Sequence, residues 1–126
     1  MLLKISPSIN TPSINFDIES GHLNISGRCI NTDLSEIFNR VMAHTMLYIE
    51  QPKNQTVLNL QFEYVNTGGI VYLKRVISYF TKLVKGGLEV TVNWYYETDD
   101  DCILNLGQDL SHIFNIIKFN FIEVED

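Results

Sequence analysis

Long apolar runs are missing from this chain. None exceeds a few residues, so no stretch is expected to span a membrane. Basic residues are scarce too: nine Lys and Arg stand against fifteen Asp and Glu, a net charge of −6. Affinity for nucleic acid comes mainly from Lys and Arg on phosphates, so a nucleic-acid partner is not expected, nor is an anionic membrane surface. Only two cysteines occur, Cys29 and Cys102, without CxxC spacing or neighbouring histidines, which predicts two reduced thiols in a cytoplasmic protein. The start, "MLLKISPSINTPS", has a single Lys and no apolar core segment, so it does not read as a secretory signal.

Catalytic signatures are equally scarce. No GxSxG, Walker or GxGxxG motif occurs. His22, His44 and His112 are scattered and read as surface or satisfied histidines. Asp99, Asp100 and Asp101 lack the spaced loop of a calcium site and read as an acidic turn at a helix start, where the dipole favours them. No metal, no cofactor and no enzymatic activity are expected.

What is present is one globular pattern. The 126 residues suit a single domain, residues 1–126, with 45% hydrophobic and 19% charged residues. Residues 2–9 form an edge strand at best, because Pro7 interrupts them. "SINFDIESGHLNISG" reads as a hairpin turning at Ser20-Gly21 and ending at Gly27. A first helix follows, with Leu34, Ile37, Phe38, Val41, Met42 and Ile49 on one stripe and Thr32 or Asp33 as its cap.

"TVLNLQFEYV" alternates, placing Leu58, Leu60, Phe62 and Tyr64 on one face and Asn59, Gln61 and Glu63 on the other. A second helix runs from about Gly68 to Lys85 and stops at Gly86-Gly87. "EVTVNWYY" is a strand. A third helix carries Ile103, Leu106, Leu110, Ile113 and Phe114, with Gly107 marking close packing. "IIKFNFIEVED" is the last strand. Three strand–helix–strand crossovers predict parallel pairing. The fold class is thus α/β: a mixed sheet, with an N-terminal antiparallel hairpin and then parallel strands, packed with about three helices mainly on one face.

The strand-to-helix junction "EYVNTGGI" has one hydroxyl followed by two glycines. Either Asn66 or Thr67 can cap the helix. If Asn66 caps, Thr67 becomes the first helical residue and its hydroxyl is spare. A helix N-terminus favours added negative charge, so a phosphate on Thr67 would be supported there. Gly68 and Gly69 would let a modifying enzyme approach.

Three segments carry a resemblance: "TPSINFDIESGHLNISGR" at 11–28, "LQFEYVNTGGI" at 60–70 and "VTVNWYYETDDDCILNLGQDL" at 90–110. Together they resemble the SiaC family of regulatory phosphoproteins, over essentially the whole chain. The resemblance implies a STAS-like fold, similar to anti-sigma-factor antagonists. It implies that Thr67 is the phospho-acceptor, modified by a partner protein kinase and restored by a metal-dependent serine/threonine phosphatase. The unphosphorylated form would bind and activate an output protein such as a diguanylate cyclase.

Two departures stand out. Gly68-Gly69 replace the family's Ser-Ser, making Thr67 the sole hydroxyl of the loop, and "CINTD" replaces a Ser followed by Pro-Glu. Tyr64, Tyr72, Arg75 and Arg28 are candidate partner contacts, and the negative net charge suggests a basic patch on the partner. The rival reading is an interaction module that is never phosphorylated. An enzyme using Asp99 to Asp101 ranks last.

Overall fold

The computed structural model describes residues 1–30 and 34–125. These form six strands, β1 (Leu2–Ile5), β2 (Ser13–Asp17), β3 (His22–Cys29), β4 (Gln55–Val65), β5 (Glu89–Glu97) and β6 (Lys118–Val124). They also form three helices, α1 (Leu34–Glu50), α2 (Thr67–Lys85) and α3 (Asp101–Ile113). The strands lie side by side in chain order in one sheet. β1, β2 and β3 pair antiparallel; β3, β4, β5 and β6 pair parallel through the three helical crossovers. The expected mixed sheet is therefore observed. The expected cap at Thr32 or Asp33 lies outside the described residues.

Right-handed crossovers that always step to the next strand put every helix on the same face. On that face the register aligns Phe16, Leu23, Leu58, Val92 and Phe119 in one row, and Ile14, Ile25, Leu60, Trp94 and Phe121 in the next. The Phe16 ring meets Tyr48 of α1 at 5.7 Å and Phe80 of α2 at 6.2 Å between centroids. Trp94 Nε1–H donates to the Ile103 carbonyl of α3 at 2.8 Å. Gly107 faces the Trp94 indole so closely that a Cβ there would overlap the ring, which is why this helix carries a glycine mid-length.

The opposite face is polar. Asn15, Asn24, Asn59, Asn93 and Asn120 share one register row. Asn59 Nδ2 donates to Asn24 Oδ1 at 2.7 Å, Asn93 to Asn59 at 2.9 Å, and Asn120 to Asn93 at 3.1 Å. Asn59 and Asn93 each give one proton and accept another, so the polar face ties the parallel strands together.

Four expectations need correction. Gly27 does not end the hairpin: with φ of 108° it allows an irregularity, and β3 continues to Cys29. Gly27 pairs with Phe62 but Arg28 with Tyr64, so Glu63 is an extra residue and the alternation of β4 slips there. Tyr64 consequently leaves the buried face and is 50% exposed, while Val65 turns inward.

In α1 the buried stripe includes His44, Thr45 and Tyr48, which a purely apolar count misses. Their polar atoms find local partners in two cases. Thr45 Oγ1 donates to the Val41 carbonyl at 2.8 Å, and the Tyr48 hydroxyl bonds the Thr56 hydroxyl at 2.7 Å. In α3, Ile113 is exposed rather than buried. α2 ends as expected: Gly87, with φ of 90°, donates to Val84, and Leu88 donates back to Leu83, the pairing of a Schellman motif.

Candidate functional site

The junction between β4 and α2 lies at the C-terminal edge of the parallel sheet, beside the end of β3. Asn66 is extended, with φ −87° and ψ 176°, and its Oδ1 accepts from the Gly69 N–H at 2.9 Å. Its carbonyl accepts from the Ile70 N–H at 2.9 Å, and its own N–H donates to the Cys29 carbonyl at 3.2 Å. Asn66 is therefore the cap. Thr67 is the first residue of α2 and is exposed, with its hydroxyl not required for capping.

The two glycines have different surroundings. Gly68 is half-buried. Gly69 is buried, and a Cβ on it would stand 2.5 Å from the Cys29 carbonyl oxygen and 3.0 Å from both Cys29 Sγ and Val65 Cγ1. The second glycine thus exists to let α2 start flush against the end of β3. It is not an opening for an approaching enzyme. Cys29 is itself buried, and burial pushes its thiol up to about 12. Cys102 is exposed, and both cysteines are free.

The expected contact residues form two pairs. The Arg28 guanidinium lies 5.9 Å from the Tyr64 ring centroid, both at the exposed strand ends. The Arg75 guanidinium lies 5.5 Å from the Tyr72 centroid, and Tyr72 is half-buried and stacked on Phe38 at 5.3 Å. Each cation is thereby held over an aromatic ring.

The acidic turn is structural in part: Asp100 caps α3 by accepting from the Ile103 N–H at 3.0 Å, and Asp101 sits in its first turn. Among the described residues no group of three His, Cys, Asp or Glu comes together to hold a metal, and no helix is long and apolar enough to cross a membrane. His22 and His112 are exposed. His44 departs from the expectation of a surface or satisfied histidine. It is buried, its ring meets Phe16 edge-on at 5.2 Å, and its Nε2 has no hydrogen-bond partner among the described residues. Burial lowers its pKa below the usual value.

The model of the SiaC family of regulatory phosphoproteins matches residues 5–124, nearly the whole described chain. The chain belongs to the SiaC family. An uncharacterized protein of Pseudomonas aeruginosa strain UCBPP-PA14 is 22% identical over 107 residues, covering 85% of each chain.

Among solved structures, SiaC of Pseudomonas aeruginosa superposes with a TM-score of 0.84 at 21% identity, over 100% of this chain and 99% of that one. The crystal structure of the diguanylate cyclase SiaD of Pseudomonas aeruginosa in complex with its activator SiaC gives a TM-score of 0.85 at 21% identity, over 98% and 99%. At this identity the structural likeness establishes the SiaC fold for this family member.

Sequence reasoning missed a feature that this geometry exposes. Lys74, Arg75, Lys82 and Lys85 all project from α2, which contains no Asp or Glu. The overall negative charge hid it. A charge count restricted to the second predicted helix would have found it.

Proposed function

We propose that this SiaC-family protein is a phosphorylation-controlled switch whose acceptor is Thr67. A partner kinase adds the phosphate and a metal-dependent serine/threonine phosphatase removes it. The unphosphorylated form binds and activates an output protein, a diguanylate cyclase by analogy with the SiaC–SiaD pair of Pseudomonas aeruginosa. The observation that carries this reading is the division of labour at the helix start: Asn66 caps, so the exposed hydroxyl next to it is spare.

The chemistry is local. A phosphate adds about −1.5 to −2 charge at pH 7. At the first helical position it faces the positive end of the α2 dipole, where the Thr67 and Gly68 N–H groups precede the first intrahelical bond. The modification therefore costs the fold little, while it changes what a partner meets. Arg28 and Tyr64, exposed at the adjoining strand ends, supply a cation and an aromatic face beside the acceptor.

Incubation with the kinase and ATP, followed by mass mapping, tests the reading. Phosphate should appear on Thr67 and vanish in Thr67→Ala, and binding of the cyclase should be lost on phosphorylation. Absence of label with binding retained would leave the unmodified interaction module as the correct description.

A further inference from the structure

An acid-rich protein has placed one helix face entirely in positive charge. α2 carries Lys74, Arg75, Lys82 and Lys85, out of nine Lys and Arg in the whole chain, and none of the fifteen Asp and Glu. Thr67, Val71, Lys74, Arg75, Ser78, Lys82 and Lys85 are all exposed. At 100° per residue they fall within an arc of roughly 100°, a stripe about 27 Å long that begins at the candidate phospho-acceptor.

Cations near a helix C-terminus are expected from the dipole, which accounts for Lys82 and Lys85. Lys74 and Arg75 lie mid-helix and have no such reason. Ordinary solvated helices interleave acids with their lysines for i, i+4 pairing, and α2 has none. Arg75 and Lys82 are held over the Tyr72 and Tyr79 rings, at 5.5 and 5.4 Å, and neither forms an ion pair among the described residues.

Along the same helix lies a groove of about 440 Å3 between α2 and α3, lined by Ile70, Lys74, Leu106, Asp109, Leu110 and Ile113, among others. Its apolar wall stays open at Ile113, which is 53% exposed, and Val71 on the stripe itself is 44% exposed. The α3 wall holds Asp109 beside His112, while the α2 rim carries Lys74, so an anionic partner is favoured on the α2 rim.

We propose that the exposed α2 stripe and the adjoining α2/α3 groove dock an acidic segment of a partner protein. Its carboxylates lie along Lys74, Arg75 and Lys82, and an apolar side chain enters between Ile70 and Ile113. The occupant is acidic because the stripe is basic, and the negative charge on the rest of this chain, −6 net, steers an acidic segment to this one face. This replaces the expectation of a basic patch on the partner. It also gives the switch a sign, a step that depends on Thr67 being the phospho-acceptor: a dianion at the head of the stripe repels the same carboxylates that the unmodified stripe attracts.

The test is an NMR titration of the isotope-labelled full chain with a synthetic amphipathic peptide of Glu, Ala and Leu. Amides of residues 67–85 and those around Leu106 and Ile113 should shift, and affinity should fall with salt. The double variant Lys74→Glu, Arg75→Glu should bind about tenfold more weakly or worse. The pair Lys4→Glu, Lys53→Glu, with the same charge change elsewhere, should stay within about twofold.

Equal shifts with a peptide carrying Lys for Glu, shifts scattered over the surface, or no shifts would overturn the assignment. So would concentration-dependent self-association abolished by the α2 variant, which would make the occupant a second copy. The unmodified chain reads the surface whether or not Thr67 is ever phosphorylated. A phosphorylated chain that binds the peptide unchanged would overturn the sign of the switch and leave the surface standing.

Discussion

Gly69 of α2 rests against Cys29 of β3 with no room for a single added carbon: an ideal Cβ would lie 2.5 Å from the Cys29 carbonyl oxygen. That carbonyl also accepts the Asn66 N–H at 3.2 Å. The end of one strand thereby fixes where the next crossover helix begins, and so where Thr67 is presented.

Gly69→Ala should therefore destabilise the fold by about 1–3 kcal/mol through overpacking, since backbone oxygen cannot move aside as a flexible side chain can. Urea unfolding followed by circular dichroism would read the loss as a lower midpoint at unchanged slope. A midpoint equal to that of the wild type would show that the junction yields freely.

The cap and the acceptor should separate cleanly. Asn66→Ala removes the acceptor of the Gly69 N–H and should cost about 1 kcal/mol. Thr67→Ala should stay within about 0.5 kcal/mol of wild type, as exposed substitutions do. A Thr67→Ala loss as large as that of Asn66→Ala would mean that the hydroxyl is structural, and would undercut its availability for modification.

The two thiols should differ sharply in reactivity. Burial holds the Cys29 thiol up at about 12, so it stays protonated across the working pH range, whereas Cys102 is exposed. A maleimide or disulfide reagent at pH 8 should modify one cysteine in the folded protein and two in denaturant. Mass mapping should place the first adduct on Cys102.

His44 should make the protein acid-sensitive. Burial lowers its pKa from the ordinary 6.5, opposed by the backbone of Met1 and Phe16 and assisted by the N-terminal charge. The unfolded chain therefore binds the proton more readily. This contribution to stability is complete above about pH 6.5 and is lost as pH falls from there toward the lowered native value. Denaturant midpoints between pH 7.5 and 5 should fall more steeply in the wild type than in His44→Leu, which has no group to titrate. Parallel slopes would show that the imidazole is solvated.

Much of the architecture was legible in the chain. Alternation located β4 and β5, the apolar stripes located the helices, and three strand–helix–strand steps dictated parallel order. These signals are local periodicities of one segment, and neighbouring residues carry them whatever the rest of the chain does. The junction "VNTGG" was legible as a helix start for the same reason, but its two capping options were not separable by sequence. Asn66 and Thr67 are both good caps, and only the backbone position of Gly69 beside Cys29 decides between them.

Sequence alone therefore determined the order of elements, most of the buried stripes and the presence of a single threonine hydroxyl at the start of α2. Tertiary structure decided what depends on register between strands far apart in the chain: the asparagine ladder from Asn24 to Asn120, the slip at Glu63 that turns Tyr64 outward, and the close approaches that require Gly69 and Gly107. The physical reason is that periodicity tells each residue which side it faces, whereas contact depends on what the sheet brings to that side.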